Sequence, residues 1–180
     1  MTCPACGASL ERTTRDGVDV DECNRCHGTW FDADELRLAK DRTDEDLRWL
    51  DFDPFQETPG GATSGPSGRA CPHCGVAMDT REYMHSGVRL DVCPDGHGVW
   101  LEEGEFAKIV GYLEHVVVSM DAGDYAKAAL SELKEIVTHP EGFRSEMKDF
   151  SVVLRLLQTR FGLEHPKLVE TATELSRRMP

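Results

Sequence analysis

All seven cysteines of this chain fall into two blocks that repeat one arrangement. The first block reads Cys3-Pro-Ala-Cys6, then Cys23-Asn-Arg-Cys26; the second reads Cys71-Pro-His-Cys74, then Cys93-Pro-Asp-Gly-His97. Thiolate and imidazole are donors that Zn2+ favours. Two knuckles about 16 to 20 residues apart match the spacing of a closed, four-coordinate structural site. Cys3, Cys6, Cys23 and Cys26 complete such a shell unaided. His27 could compete for the fourth place, but Cys26 preserves the symmetric knuckle and is preferred. In the second block the position matching Cys26 is Gly96, which has no donor, so His97 is the expected partner of Cys71, Cys74 and Cys93. The alternative, three protein ligands plus water, would leave an open site fit for metal–water chemistry. His73 and His85 are read as solvent-facing. Two structural Zn2+ ions are predicted, and no catalytic residue.

The elements that must hold these ligands can be read from the alignment of the blocks. Gly28-Thr29-Trp30-Phe31-Asp32 lines up with Gly98-Val99-Trp100-Leu101-Glu102, and Glu35 with Glu105. The second copy carries two extra residues, placed around Tyr83-Met84-His85-Ser86-Gly87, where a longer hairpin turn would accept them. Val18-Asp19-Val20-Asp21 and Val88-Arg89-Leu90-Asp91-Val92 alternate as strands with one buried face do. Asp32-Ala33-Asp34-Glu35 has a capping acid with glutamate three residues on, which predicts a helix over 34–51. That spacing also accounts for Asp32 and Glu35 without an acid–base role. Trp30 and Trp100 are expected to pack beneath their metals rather than to anchor a partner.

Residues 54–68 are rich in proline and glycine and read as a flexible linker. Beyond the second block the pattern turns helical. One helix is expected over 104–120. Ala126, Leu130, Leu133 and Val137 mark the core stripe of a second, ending near His139-Pro140. Met147, Phe150, Leu154, Leu157 and Phe161 mark a third, stopped at Gly162. Leu168, Ala172, Leu175 and Met179 mark a last helix opening at Pro166. Together they predict a small bundle.

Composition narrows the function. The net charge is −13, and residues 1–53 carry 7 basic against 14 acidic side chains. Filling both sites would take the charge to about −16, because four thiolates outweigh the ion. Such a surface repels a phosphate backbone, so direct nucleic-acid binding is disfavoured and a basic protein surface is the better match. Seven thiols in metal spacing suit a reducing cytoplasm better than a disulfide framework. No leader is expected ahead of Cys3, and no apolar run is long enough to span a membrane.

Cys-Pro-x-Cys-Gly, a hairpin ending in Val-Asp, and a second ligand pair leading into Gly-x-Trp with acids following resemble the transcription factor IIB-type zinc ribbon of small bacterial proteins. The resemblance covers 3–36 and 71–106. It implies zinc roles for Cys3, Cys6, Cys23, Cys26, Cys71, Cys74 and Cys93, and a histidine directly before Gly-x-Trp is a variant of that family, which supports His97. The expected architecture is a small metal-bound α+β fold: a first ribbon with its helix over 1–53, a linker over 54–68, a second ribbon over 69–110, and an all-α helical domain over 111–180. The resemblance implies contact with transcription machinery. A noncatalytic adaptor that binds proteins is the leading expectation, and a zinc- or redox-responsive regulator the alternative. No nucleophile–base pair or cofactor fingerprint suggests an enzyme.

Overall fold

The structure, a computed structural model, describes residues 1–50, 53–55, 63–138 and 143–170. The chain divides into two compact units, Met1–His115 and Val116–Pro180.

In the first unit, β1 (Leu10–Arg15) and β2 (Val18–Cys23) form a hairpin, and β3 (Thr29–Asp32) pairs antiparallel with β2. Asp16 and Gly17 turn the hairpin with φ of 49° and 77°. Two successive left-handed residues give a turn whose twist suits a two-residue loop. The second copy repeats the plan with β5 (Ala77–Glu82), β6 (Arg89–Val92) and β7 (Gly98–Leu101). Its longer loop lies over the expected residues, where Ser86 N–H donates to the Tyr83 carbonyl at 3.0 Å.

The copies do not stand as separate modules. β3 pairs antiparallel with β7, so that one seven-stranded sheet runs β1-β2-β3-β7-β6-β5-β4. The register centres on Trp30 opposite Trp100, with Phe31 opposite Val99 and Thr29 opposite Leu101. Each repeat thus offers the other the same strand, which is how two subunits meet across a two-fold axis. The final strand, β4 (Thr63–Ala70), pairs with β5. It occupies the second half of the segment expected to be a linker. Two register irregularities, between Thr63 and Gly65 and between Pro66 and Ala70, let an edge strand absorb proline and glycine. Residues 56–62 of that segment lie outside the described residues.

Helix α1 (Glu35–Thr43) is shorter than the helix expected over 34–51. Asp44 leaves helical geometry at φ −145°, ψ 116°, and its carboxylate accepts from Asp46 N–H at 2.9 Å to start a 3-10 turn over Glu45–Leu47. Aspartate competes with a helical backbone in this way. The buried Lys40 ammonium donates to the carbonyls of Leu47 at 2.7 Å and Leu50 at 2.9 Å, which fixes the return of the chain. The expected capping box survives in half: Glu35 Oε2 accepts from Asp32 N–H at 2.8 Å, but Asp34 holds the cap position, at φ 65°. Glu105 Oε2 makes the matching bond to Glu102 N–H at the start of α2 (Glu105–Ser119), also at 2.8 Å. Phe106 of α2 stacks on Phe31 with ring centroids 5.6 Å apart.

In the second unit, α3 (Ala122–Thr138) packs on α4 (Phe143–Glu164). The stripes expected to be core are out of phase with what is buried. Tyr125, Ala129, Val152 and Val153 are buried, whereas Leu130 and Leu133 on α3, and Met147, Leu154 and Phe161 on α4, are exposed. On α4 the buried Val153 stands next to the expected Leu154, and Val152 one position further back. An apolar-rich helix supports more than one stripe, and the partner element decides between them. Gly162 does not stop α4, which continues to Glu164 before helical backbone resumes over 166–170. Ala172, Leu175 and Met179 lie outside the described residues. Among the described residues no helix is long and apolar enough to cross a membrane.

Candidate metal centres

Each knuckle is a tight turn closed by backbone bonds to its first cysteine. Cys3 O accepts from Gly7 N–H at 3.0 Å, and Cys71 O accepts from Gly75 N–H at 2.9 Å. Gly7 and Gly75 sit at φ 74° and 76°, the left-handed conformation that glycine adopts without penalty. β2 ends on Cys23 and Cys93 directly follows β6; the two strands run antiparallel through β3 and β7, so the two ligands stand at opposite ends of the sheet. The result is two donor sets, Cys3-Cys6-Cys23-Cys26 and Cys71-Cys74-Cys93-His97, within each of which the ligand atoms all lie within 4.8 Å of one another. All eight expected donors are therefore brought together.

The spacing fits a tetrahedral ion. Sulfurs bound at about 2.3 Å to one such ion stand about 3.8 Å apart. Cys3 and Cys26 Sγ are 3.5 Å apart, as are Cys6 and Cys23, and Cys74 and Cys93 Sγ are 3.7 Å apart. His97 Nδ1 stands 3.4 Å from Cys93 Sγ. These separations are far beyond the roughly 2.05 Å of a disulfide. Thiolate and imidazole donors at this distance suit Zn2+ at both sites.

The second set reaches four donors by changing its turn. In the first block His27 N–H donates to the Cys23 carbonyl at 2.9 Å, and the left-handed residue is His27 itself, at φ 55°. In the second, Gly96 N–H donates to the Cys93 carbonyl at 3.0 Å, and the left-handed residue is Gly96, at φ 74°. The turn closes one residue earlier, so the next side chain, His97, faces the donors. His27 is exposed and outside the donor set. His73 is exposed as expected, yet its ring stacks on that of His97 with centroids 4.4 Å apart. Cys74 is the one exposed thiol, and its Sγ lies 3.7 Å from an Asp95 carboxylate oxygen.

The thiols in each set differ in acidity. Burial pushes Cys3 up to about 12 and Cys71 up to about 12. Burial acts on Cys23 as well, but the N–H groups of Cys26 and Arg25 and the neighbouring sulfurs outweigh it, and its thiol falls to about 6. Cys93 is likewise lowered: burial opposes ionisation, while the backbone and ring of His97 favour it. A set of this kind cannot hold all its thiolates together without a cation among them.

Beneath both sites lies one apolar cluster containing Cys3, Cys23, Cys71, Cys93, Leu10, Met78, Trp30 and Trp100. Both tryptophans are fully buried, so they pack rather than project. Trp30 Nε1–H donates to Asp32 at 2.7 Å, whereas the buried Trp100 Nε1–H has no partner among the described residues. In the second copy Glu102, the counterpart of Asp32, is held instead by Arg69. Two arginines missed in the sequence neutralise matching buried acids: Arg12 pairs with Asp21 at 3.5 Å, and Arg69 pairs with Asp91, which Thr80 also serves at 2.9 Å. Asp21 and Asp91 occupy equivalent repeat positions, but the arginines do not. The alternation gave no signal for them, since it puts Asp21 with Asp19, and Asp91 with Arg89, on the face expected to meet solvent.

The family model described as a transcription factor zinc-finger, the TFIIB-type zinc ribbon, matches residues 2–42 and 70–111. No curated protein and no solved structure matches the chain.

Proposed function

We propose, from the match of residues 2–42 and 70–111 to the TFIIB-type zinc ribbon, that this chain is a noncatalytic adaptor that binds other proteins, with zinc holding the binding surface in shape. The observation that carries this reading is the donor arrangement. Each ion would receive four protein donors, which leaves no coordination position for a substrate or an activated water. Zinc then stabilises the fold, and the functional surface is the sheet it braces.

That surface has a candidate docking place. A cavity of about 370 Å3 has Leu36, Arg37, Phe55, Tyr83, Val99 and Ile109 in its lining. It suits an apolar side chain of a partner, and the surplus of acid favours a partner with basic flanks. The link to transcription machinery is part of the same proposal.

The test is a nuclease-treated pull-down of the tagged full chain from its own cytoplasm. A stoichiometric protein partner is expected with the unaltered chain and lost with Phe55→Lys, which puts a cation into the apolar lining. Recovery of no partner above a Cys6→Ser control would sink the adaptor reading.

A second reading is supported by Cys74, the exposed thiol of the second site. Thiolate oxidation releases zinc, and exposure sets which site goes first. If mild peroxide freed one zinc and thereby changed partner binding, the adaptor would also be a redox-responsive regulator.

A further inference from the structure

The two metal loops are each braced from the opposite ribbon. Gly28 follows the last ligand of the first site by two residues, and its carbonyl accepts from the N–H of ligand Cys23 at 2.9 Å. The ring of Trp100, from the second ribbon, lies directly on Gly28: a Cβ added there would overlap the indole, with Trp100 Cη2 at 2.8 Å and Cε2 at 2.9 Å. Gly98 repeats the arrangement. It directly follows ligand His97, its carbonyl accepts from the N–H of ligand Cys93 at 3.0 Å, and the ring of Trp30 lies on it, with Cζ2 at 2.7 Å from an added Cβ. A further bond crosses in one direction, from Ala33 N–H to the carbonyl of His97 at 3.1 Å.

We propose that Trp30 and Trp100 are positioning residues for each other's metal site: Trp100 holds the loop of the Cys3-Cys6-Cys23-Cys26 set, and Trp30 holds the loop of the Cys71-Cys74-Cys93-His97 set. The Gly-x-Trp segment then has two separate duties. Its glycine yields space to a foreign indole, and its tryptophan fills the space left by the other glycine. Metal binding at the two sites is reciprocally coupled, because ordering one ligand loop seats the ring that orders the other. The bond from Ala33 makes the second site the more dependent of the two. This proposal rests on the zinc reading above.

The deciding experiment uses the full chain loaded with cadmium-113, whose NMR resonance separates a four-sulfur site from one with three sulfurs and one nitrogen. Occupancy of each site is followed during chelator competition. Trp100→Phe keeps an aromatic core but withdraws the atoms over Gly28. It is expected to weaken the four-cysteine site about tenfold, the lower end of the effect of residues that support metal ligands, and the other site less. Trp30→Phe is expected to do the reverse. Gly28→Ala supplies a second route. It should weaken the four-cysteine site, and Trp100→Phe added to it should cost no more, since the ring no longer collides. Tryptophan variants that weaken only the site of their own ribbon, or equal losses at both sites with additive behaviour in the Gly28 pair, would overturn the crossing. An unaltered chain that took up no metal would instead sink the zinc reading itself.

Discussion

The two ribbons use one motif to build different metal loops, and the difference lies in where the chain turns left-handed. In the first ribbon the turn ends on His27, with Cys26 inside it as a ligand; in the second it ends on Gly96, and the ligand follows as His97. The first set is sheltered, with Cys3 and Cys23 buried and Cys6 and Cys26 half-buried, while the second exposes Cys74 beside Asp95. The supports differ as well. Asp32 serves the Trp30 indole, but Glu102 serves Arg69, and Trp100 has no partner among the described residues. A ligand swap has therefore been accommodated by local backbone and charge changes, while the sheet register across Trp30 and Trp100 stays symmetric. Symmetry is kept where the copies touch each other and relaxed where each touches solvent.

Removing a ligand should give the largest effect. Structural zinc supplies about 10–16 kcal/mol of apparent binding free energy in small finger peptides, and that energy is available only to a complete shell. Cys6→Ser is expected to lower zinc content below two per chain and to collapse β structure while α3 and α4 persist. Cys74→Ser, at the more exposed site, should do so less completely. Zinc assay and circular dichroism read both. Unchanged metal content and spectrum in Cys6→Ser would break the structural-zinc reading of the sheltered site.

The buried acids come next. Arg69→Met strands Asp91 and releases Glu102, and Thr80 remains as a single hydrogen bond to Asp91. Leaving a buried carboxylate without its cation costs about 3 kcal/mol. Arg12 is the more exposed arginine, at 54% against 30% for Arg69. Its ion pairs are therefore more screened, and Arg12→Met should cost about 1 kcal/mol. Urea unfolding of the zinc-loaded variants measures the gap, and equal losses would mean that the two arginines are equivalent supports.

What the sequence revealed follows the range of each interaction. The ligands were legible because zinc imposes a spacing on nearby residues, and His97 because one donor was missing from a repeated pattern. The hairpins were legible from alternation over a few residues. The pairing of β3 with β7 was not, since residues 70 apart carry no local trace of meeting, and Gly-x-Trp reads equally well as a packing motif within one ribbon. Gly98 and, just ahead of β3, Gly28 gave the clue in retrospect: a glycine in or at the edge of a strand marks close approach by something else. The stripes in α3 and α4 were misphased because Leu130, Leu133 and Leu154 compete with Ala129, Val152 and Val153, and only the neighbouring helix chooses.

The left-handed residues allow a sharper comparison with opposite signs. A side chain at φ 74° costs about 1–2 kcal/mol, so Gly96→Ala should destabilise the second ribbon by that amount. His27 already carries a side chain at φ 55° and stands outside the donor set. His27→Gly should therefore be neutral or stabilising by up to about 1 kcal/mol, the relief being partly offset by a more flexible unfolded chain. A loss on both substitutions would place His27 in a role that its exposure does not suggest.

The smallest expected effect concerns Glu105, whose carboxylate accepts from Glu102 N–H at 2.8 Å. Burial is the main cause that raises its pKa; the N–H bond to Glu102 opposes it, and the nearby Glu102 charge adds to it. A carboxyl with a raised native pKa binds its proton more tightly folded than unfolded. Its charge therefore opposes folding above the native value, and that penalty fades as pH falls toward the unfolded value. Glu105→Gln keeps an acceptor oxygen and removes the titration, so at about pH 7 it should shift stability by under about 1 kcal/mol. Between about pH 7 and about pH 5 the unaltered chain should gain stability relative to the variant, with zinc content checked at each point so that thiol protonation is not counted. If the unaltered chain lost ground instead, the hydrogen bond to Glu102 would outweigh burial. Glu35 shares the raised value and the matching bond to Asp32, but Arg12 reaches it at 3.2 Å. The same substitution there should show a weaker pH trend, because Arg12 bonds Glu35 directly, whereas Lys108 favours the charged form of Glu105 only through its nearby charge.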